Sequence, residues 1–268
     1  MKTGNNIETA SNSPAPGNGG VTIKSEQELE AMRRAGAVVA ATLAVLRDAV
    51  VPGSRTKDLD AVAARQIRHM GAIPTFKGYR GFPGNICVSV NQEIVHGIPG
   101  NRVIQEGDLV KMDVGATIDG FIGDAAITVG AGKVSPEALD LIEVTRLALE
   151  EGIKASVDGG RLGDIGAAVQ GFAEGHGYSV VKEYVGHGIG RRLHEEPQVA
   201  NYGEAGMGML LRSGMTIAIE PMVNVGDWRT RLLADNWTVV TADGKLSAHF
   251  EHTIAIRDGV AEVMTALR

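Results

Sequence analysis

The sequence predicts an α/β (α+β) fold in which two related helix–helix–strand halves surround a central antiparallel sheet. Residues 51–61 (VPGSRTKDLDA) resemble residues 157–167 (VDGGRLGDIGA) at an offset of 106. Asp113 follows Gly107 by six residues and Glu220 follows Gly214 by six, so these two pairs repeat at an offset of 107. A duplicated unit of this kind places Asp113 and Glu220 on equivalent strands, close to a pseudo-twofold axis.

The elements of each half follow from local signals. Ser25 and Glu28 form a capping-box signature before a long apolar-periodic stretch. Ser135-Pro136 is a second helix start, because proline fits the first helical position. We expect helices over about residues 26–50, 56–70 and 162–174 and from residue 136 onward, with strands dominating residues 86–129 and 179–256.

Composition indicates one catalytic domain over residues 21–268, preceded by a disordered tail over residues 1–20 that is rich in Gly, Asn, Ser and Pro. The net charge of −6 and the lack of a Lys/Arg block argue against a nucleic-acid partner. A single cysteine, Cys87, excludes an intramolecular disulfide and fits a reducing compartment. The sequence contains no run of about 18 apolar residues, so it predicts no membrane span. We therefore expect a cytoplasmic protein.

Five side chains form a candidate metal-binding set, namely Asp113, Asp124, His187, Glu220 and Glu251. Four carboxylates and one imidazole suit two divalent ions of the manganese, iron or cobalt type. Two such ions that share a water generate a hydroxide nucleophile at neutral pH, which predicts metal-assisted hydrolysis. Taken singly, each residue has an ordinary alternative: turn aspartates, a loop histidine between glycines, or glutamates on the solvent side of a strand.

An Asp119-Gly120 pair between alternating apolar residues is typical of a two-residue hairpin. Such a turn pairs Asp113 with Ala126 and places Asp124 opposite Gly115. Side chains alternate along a strand, so both carboxylates lie on one face as diagonal neighbours, with Cα atoms about 7–8 Å apart.

The remaining histidines fall into two groups. His96 and His194 are flanked by turn residues and fit acid–base or carbonyl-polarising roles, although either alone is equally compatible with a surface turn. We interpret the others as structural or solvated, with the last two on the strand face opposite Glu251: His69, His176, His249 and His252.

Over residues 24–266 the chain resembles the bacterial type I methionine aminopeptidases, a family of metallopeptidases with the pita-bread fold. The matching segments occur in the family's order and spacing: NICVSVNQEIVHGIPG, KMDVGATIDGFIGDAAI, EYVGHGIGRRLHEEPQV, TIAIEPMVN and LSAHFEHTI. The resemblance implies a pita-bread fold of two pseudo-symmetric halves. The implied activity removes the initiator methionine from nascent polypeptides when the second residue is small.

The resemblance also implies a role for each site residue. Asp124 and Glu251 would bridge two metal ions, Asp113 would chelate one ion, and His187 and Glu220 would complete the other. Glu220 would also act as general base, His194 would contact the scissile carbonyl, and His96 would donate to the substrate's backbone nitrogen. The implied methionine pocket is lined by Tyr79, Phe82, Cys87, Leu193 and Trp237, with His96 near its mouth. Together with His194, these are the seven implied substrate-binding residues. The ligand set leaves cobalt, manganese, iron and zinc open as the ions.

The implied partners are the N-termini of nascent polypeptides, and the enzyme is expected to be a monomer. Residues 1–20 either tether the enzyme near the ribosome or have no such role. Two alternatives differ in class. The first is an Xaa-Pro aminopeptidase or prolidase with the same five ligands, although such enzymes usually carry a large extra N-terminal domain. The second is a non-catalytic pita-bread binding protein, although such relatives typically lose metal ligands.

Overall fold

The computed structural model describes residues 20–266, so the predicted tail, apart from Gly20, lies outside the described residues. The helices are α1 (Glu26–Ala49), α2 (Thr56–His69), α3 (Pro136–Ala155) and α4 (Leu162–Gly175), with a short 3-10 helix at Tyr79–Gly81. The strands are β1 (Ile73–Pro74), β2 (Cys87–Val90), β3 (Glu93–Val95), β4 (Leu109–Ile118), β5 (Phe121–Gly130), β6 (Ser179–Val180), β7 (Gly186–Gly188), β8 (Glu195–Val199), β9 (Thr216–Ile219), β10 (Met222–Asn224), β11 (Thr230–Leu232), β12 (Val239–Thr241), β13 (Ser247–His249), β14 (Glu251–Ala255) and β15 (Glu262–Val263).

Nine of these strands form the central sheet, in the order β1-β4-β5-β14-β9-β7-β8, with β2 beside β4 and β15 beside β14. Two three-stranded sheets, β13-β10-β6 and β11-β12-β3, flank it. Neighbouring strands are antiparallel throughout. The predicted mixed fold with an antiparallel sheet is therefore confirmed. No helix within residues 20–266 combines the length and apolar character that crossing a bilayer requires.

The internal repeat is visible as matched backbone contacts in the two halves. Arg55 precedes α2 and Arg161 precedes α4, and each backbone N–H donates to the aspartate carboxylate three residues later, at 3.0 and 2.7 Å. Each arginine also forms an isolated antiparallel bridge, Arg55 with Val103 and Arg161 with Leu210. In each half, therefore, the residue before the second helix pairs with the segment that precedes a strand of the central sheet. That strand is β4 in the first half and β9 in the second.

The helices cover the sheet in two separate apolar cores. One buried cluster joins α1 and α2 to β2 and β4, and the other joins α3 and α4 to β9 and β14. A close approach of helix to sheet involves two glycines: a Cβ atom on Gly123 of β5 would lie 2.8 Å from the backbone nitrogen of Gly36 in α1. This contact fixes the distance between α1 and the strand that carries Asp124.

The structure corrects two predicted strands. The stretch over residues 215–222 is interrupted at Glu220-Pro221, and the stretch over residues 247–256 is interrupted at Phe250. Both segments pass between two sheets at these breaks. β9 and β14 belong to the central sheet, whereas β10 and β13 belong to the three-stranded sheet β13-β10-β6. Proline cannot donate to a strand ladder, and the carbonyl of Pro221 accepts from the Phe250 N–H at 3.3 Å. The two breaks therefore coincide, beside Glu220 and Glu251.

Candidate metal centre and substrate cavity

A single cavity of about 290 Å³ contains every site residue predicted from the sequence. Its lining includes the five proposed metal ligands and all seven proposed substrate-binding residues. The full lining is Phe76, Tyr79, Arg80, Phe82, Cys87, His96, Asp113, Asp124, Tyr184, His187, Leu193, His194, Glu220, Trp237 and Glu251. The predicted groups therefore converge from distant parts of the chain onto one concave site.

The predicted hairpin has the expected register. Asp113 pairs with Ala126 and Asp124 pairs with Gly115. The turn is formed by Asp119 and Gly120, whose φ angles of 53° and 74° are the left-handed values that a type I′ turn requires. Because this turn fixes the pairing, both carboxylates lie on one face of the sheet, as predicted.

The third carboxylate joins this face through strand pairing. Glu251, the first residue of β14, pairs with Ala126, so it lies in the same row across the sheet as Asp113. Directly paired residues project to the same side of a sheet, and residues two apart along a strand do so as well. Asp113, Asp124 and Glu251 consequently point into one space.

His187 reaches the same face from the second half. It pairs with Ala218 of β9, which also pairs with Thr253, two residues beyond Glu251. Its Nδ1 lies 2.9 Å from the carbonyl oxygen of Gly188. A carbonyl only accepts hydrogen bonds, so Nδ1 carries the ring hydrogen and Nε2 is left with a free lone pair. That lone pair points into the carboxylate cluster.

The distances within the cluster fit metal binding. One ligand atom each from Asp124, His187 and Glu251 lies within 4.8 Å of the others. The Nε2 atom of His187 is 4.0 Å from Oδ2 of Asp124 and 3.7 Å from Oε1 of Glu220. These atoms surround a common point without bonding one another, an arrangement that a shared cation explains.

Burial of these charges supports the same conclusion. Asp113, Asp124 and Glu251 each have a buried carboxylate oxygen that lacks a hydrogen-bond partner among the described residues. Burial raises the pKa of Asp113 to about 7, and burial together with the neighbouring carboxylates raises the pKa of Asp124 and Glu251 well above the usual range. Burial lowers the pKa of His187 to about 3. Clustered carboxylates beside a neutral imidazole need cations to ionise together, so the residues fit divalent metal.

The rest of the cavity is apolar and aromatic. Phe82, Cys87 and Leu193 are buried and belong to one hydrophobic cluster, against which Tyr79 and Trp237 pack. The rings of Phe82 and Trp237 meet edge to face, with centroids 5.0 Å apart. Burial, followed by the charge of Asp113, raises the pKa of the Cys87 thiol, which makes this side chain an apolar wall rather than a nucleophile.

Two further imidazoles border the ligand cluster. The ring of His194 lies 4.3 Å from that of His187, centroid to centroid, and its Nδ1 is 2.7 Å from the Tyr79 hydroxyl. Burial lowers the pKa of His96 to about 4, and the ring of His96 contacts Tyr184 and Trp237 edge to face. Both imidazoles thus line the cavity that also contains the apolar pocket and the carboxylates.

Sequence reasoning missed four residues of the site. Phe76, Arg80 and Tyr184 line the cavity, and each lies within a few residues of a predicted site residue in the chain. The prediction that separated His249 from the carboxylates is wrong: Nε2 of His249 lies 3.9 Å from Oε2 of Glu220. The two-residue spacing from Glu251 was the available signal, because residues two apart share a strand face.

Known proteins resemble this chain over most of its length. Residues 30–258 match Metallopeptidase family M24. The chain is 50% identical to methionine aminopeptidase 1 of Bacillus subtilis over 245 residues, which is 91% of this chain and 99% of that protein. The crystal structure of methionine aminopeptidase from Thermotoga maritima superposes with a TM-score of 0.91 at 46% identity, covering 92% of this chain and 100% of that one.

A more distant neighbour shares the fold alone. The prolidase from Pyrococcus furiosus superposes with a TM-score of 0.74 at 21% identity, covering 92% of this chain and 66% of that chain. The two-halved architecture is therefore common to relatives of different names. The family match over most of the chain, with a cluster of side chains suited to divalent metal, leads to one conclusion: this chain belongs to metallopeptidase family M24.

Proposed function

We propose that this protein is a methionine aminopeptidase, which removes the N-terminal methionine from nascent polypeptides whose second residue is small. The observation that carries the proposal is that a carboxylate–imidazole cluster and an apolar, sulfur-containing pocket share one cavity. A flexible thioether packs well against aromatic and apolar side chains. The 50% identity to methionine aminopeptidase 1 of Bacillus subtilis supports the same activity.

In this proposal Asp113, Asp124, His187, Glu220 and Glu251 hold two divalent ions. Asp124 and Glu251 would be shared by the two ions, Asp113 would hold one of them, and His187 and Glu220 would hold the other. When bound, such ions lower the pKa of a water molecule and polarise the scissile carbonyl. Cobalt, manganese, iron and zinc are all compatible with this oxygen-rich set.

The chain's own groups then position the substrate and move its protons. Phe82, Cys87, Leu193 and Trp237 enclose the methionine side chain and exclude water from it. Glu220 takes up the proton of the attacking water, a role to which a carboxyl with a raised pKa is suited.

Two imidazoles act on the peptide bond in this proposal. The Tyr79 hydroxyl holds Nδ1 of His194, so His194 can present an Nε2 hydrogen to the carbonyl oxygen as charge develops there. His96 donates to the backbone nitrogen of the substrate. We further propose that the enzyme is cytoplasmic and monomeric and meets its substrates at the ribosome.

The proposal is tested with metal-stripped protein resupplied in turn with cobalt, manganese, iron and zinc. The substrates are Met-Ala-Ser, Met-Leu-Ser and an Xaa-Pro peptide, and released amino acids are quantified. We expect metal-dependent release of methionine from Met-Ala-Ser and slow or no release from Met-Leu-Ser. The Asp113→Asn variant is the matched control, since it keeps the side-chain shape and removes the charge that holds metal.

Two results would contradict the proposal in different ways. Cleavage of the Xaa-Pro peptide in preference to Met-Ala-Ser would assign the site to the prolidase-type reaction. Turnover with none of the four metals would favour a binding protein with this fold. Equal rates in wild type and Asp113→Asn would exclude the metal-ligand role of Asp113.

A further inference from the structure

His249 is a buried histidine whose ring has no assigned task in the site described above. It ends β13 and is 1% exposed. Neither Nδ1 nor Nε2 has a hydrogen-bond partner among the residues that the structure describes. Buried polar side-chain atoms are paired in the large majority of cases, so two unpaired nitrogens on one ring require an explanation.

The ring faces Glu220. Its Nε2 atom lies 3.9 Å from Oε2 of Glu220, while the other oxygen, Oε1, lies 3.7 Å from Nε2 of His187. The two oxygens of one carboxylate are therefore directed at two different imidazoles. His187 belongs to the proposed ligand set, so Oε1 is the oxygen turned toward the metal position and Oε2 is turned away from it.

The backbone holds His249 in this place. Its N–H donates to Oγ1 of Thr128 at 2.9 Å, and that hydroxyl donates back to the carbonyl of His249 at 2.7 Å. His249 of β13 also pairs with Met222 of β10, and Met222 follows Glu220 by two residues. His249 thus lies at the end of β13, and Glu220 lies in the break between β9 and β10, two residues before the partner of His249.

We propose that His249 is a positioning residue for Glu220, donating its Nε2 hydrogen to Oε2 and leaving Oε1 for metal. The separation exceeds a hydrogen bond by about 1 Å, which small rotations of the glutamate side chain cover. Groups that hydrogen-bond a metal ligand orient it, and their loss typically lowers metal affinity or activity by about 10–100-fold. This inference rests on the proposed function, because Glu220 has a ligand and base role only there.

Four variants test it. His249→Leu removes the donor; His249→Gln replaces it with an amide N–H at the position of Nε2; and His249→Asn reaches only the position of Nδ1. His252→Leu is the matched control: His252 is a neighbouring histidine, with Nδ1 2.8 Å from Thr265 Oγ1, and it points away because adjacent strand residues alternate. Manganese binding to each metal-stripped protein is measured by calorimetry, and kcat and KM are measured with Met-Ala-Ser.

We expect His249→Leu to bind manganese about 10–100-fold more weakly and to lose kcat by a similar factor with little change in KM. His249→Gln should recover most of both quantities, whereas His249→Asn should resemble His249→Leu. His252→Leu should match wild type in both measurements. If His249→Leu does not fold, the contrast between the Gln and Asn variants decides, since both keep a polar side chain at this position.

The inference is overturned if His249→Leu keeps wild-type manganese affinity and kcat. It is equally overturned if His249→Gln and His249→Asn lose both quantities to the same extent, because a role in packing alone would not distinguish the two amides. Failure of the proposed function gives a different pattern: wild type itself would then show no metal-dependent release of methionine from Met-Ala-Ser.

Discussion

The hydroxyl of Tyr79 lies 2.7 Å from Nδ1 of His194, and the two rings stack with centroids 5.4 Å apart. Tyr79 follows a left-handed Gly78 with a φ of 84°, in the loop that opens the short 3-10 helix. His194 comes from the loop between β7 and β8, in the other half of the protein. One hydrogen bond therefore joins the two halves across the cavity and sets the orientation of an imidazole beside the proposed metal ligands.

Tyr79→Phe should lower kcat for Met-Ala-Ser by about 2–10-fold, because a neutral hydrogen bond contributes about 0.5–1.5 kcal/mol. The apolar pocket keeps its ring, so KM should change little. Tyr178→Phe is the matched control, since that hydroxyl donates to Asp140 at 2.6 Å and takes no part in the cavity. Equal kcat values for wild type and Tyr79→Phe would show that His194 needs no such partner.

Glu195 should make a pH-dependent contribution to stability. Burial opposes its ionisation, but hydrogen bonds from Lys24, the Arg192 backbone N–H and Thr22 outweigh burial and lower its pKa below the ordinary value of 4.5. A carboxyl with a lowered pKa stabilises the folded state above its unfolded pKa, and that stability disappears as pH falls through the folded pKa.

Glu195→Gln should therefore unfold more easily than wild type by about 1–3 kcal/mol at pH 7. The difference should shrink as the pH is lowered below 4.5. Urea unfolding at pH 7, 5, 4 and 3.5 measures it, with Glu196→Gln as the exposed neighbouring control. A difference that stays constant across this range would exclude the charge of Glu195 as its source.

Some of the site follows from local rules that the sequence displays. The Asp119-Gly120 turn fixes the register of β4 against β5, because a two-residue loop allows only one pairing. That register alone brings Asp113 and Asp124 to one face. The helix starts at Ser25 and Ser135 were predictable for the same reason, since a cap involves residues only three positions apart.

Other features depend on contacts between distant segments. The break at Pro221 coincides with the break at Phe250 because the two strands change sheets together, and neither segment signals this alone. The approach of His249 to Glu220 was missed for a different reason: the prediction placed His249 on the face opposite Glu251, although residues two apart share a strand face. The places of Arg80 and Tyr184 in the cavity likewise follow from loop packing rather than from a periodic pattern.

Two helical glycines should respond in opposite ways to the same substitution by alanine. A Cβ on Gly36 would lie 2.1 Å from the carbonyl oxygen of Met264, whereas a Cβ on Gly171 in α4 would meet nothing within 4 Å. Gly36→Ala should destabilise the protein by about 1–3 kcal/mol through overpacking. Gly171→Ala should stabilise it by about 0.5–1 kcal/mol, because alanine loses less backbone entropy in a helix. Urea unfolding of both variants measures these changes. A neutral Gly36→Ala would mean that α1 and the segment around Met264 can move apart without cost.

Removing one carboxylate should affect the metal-free and metal-loaded proteins in opposite directions. Burial, and then the charges of Asp124, Glu220 and Asp113, raise the pKa of Glu251, so ionising this group costs stability when no cation is present. Glu251→Gln removes that cost, and the stripped variant should melt at or above the temperature of stripped wild type. Manganese at about 100 times its dissociation constant should stabilise wild type by about 2.7 kcal/mol and the variant far less, because a proposed metal ligand is lost. Thermal unfolding with and without manganese measures both effects, with Glu174→Gln, an exposed change on α4, as the control. A stripped Glu251→Gln protein that is less stable than stripped wild type, yet gains the full stabilisation from manganese, would place Glu251 outside the metal centre.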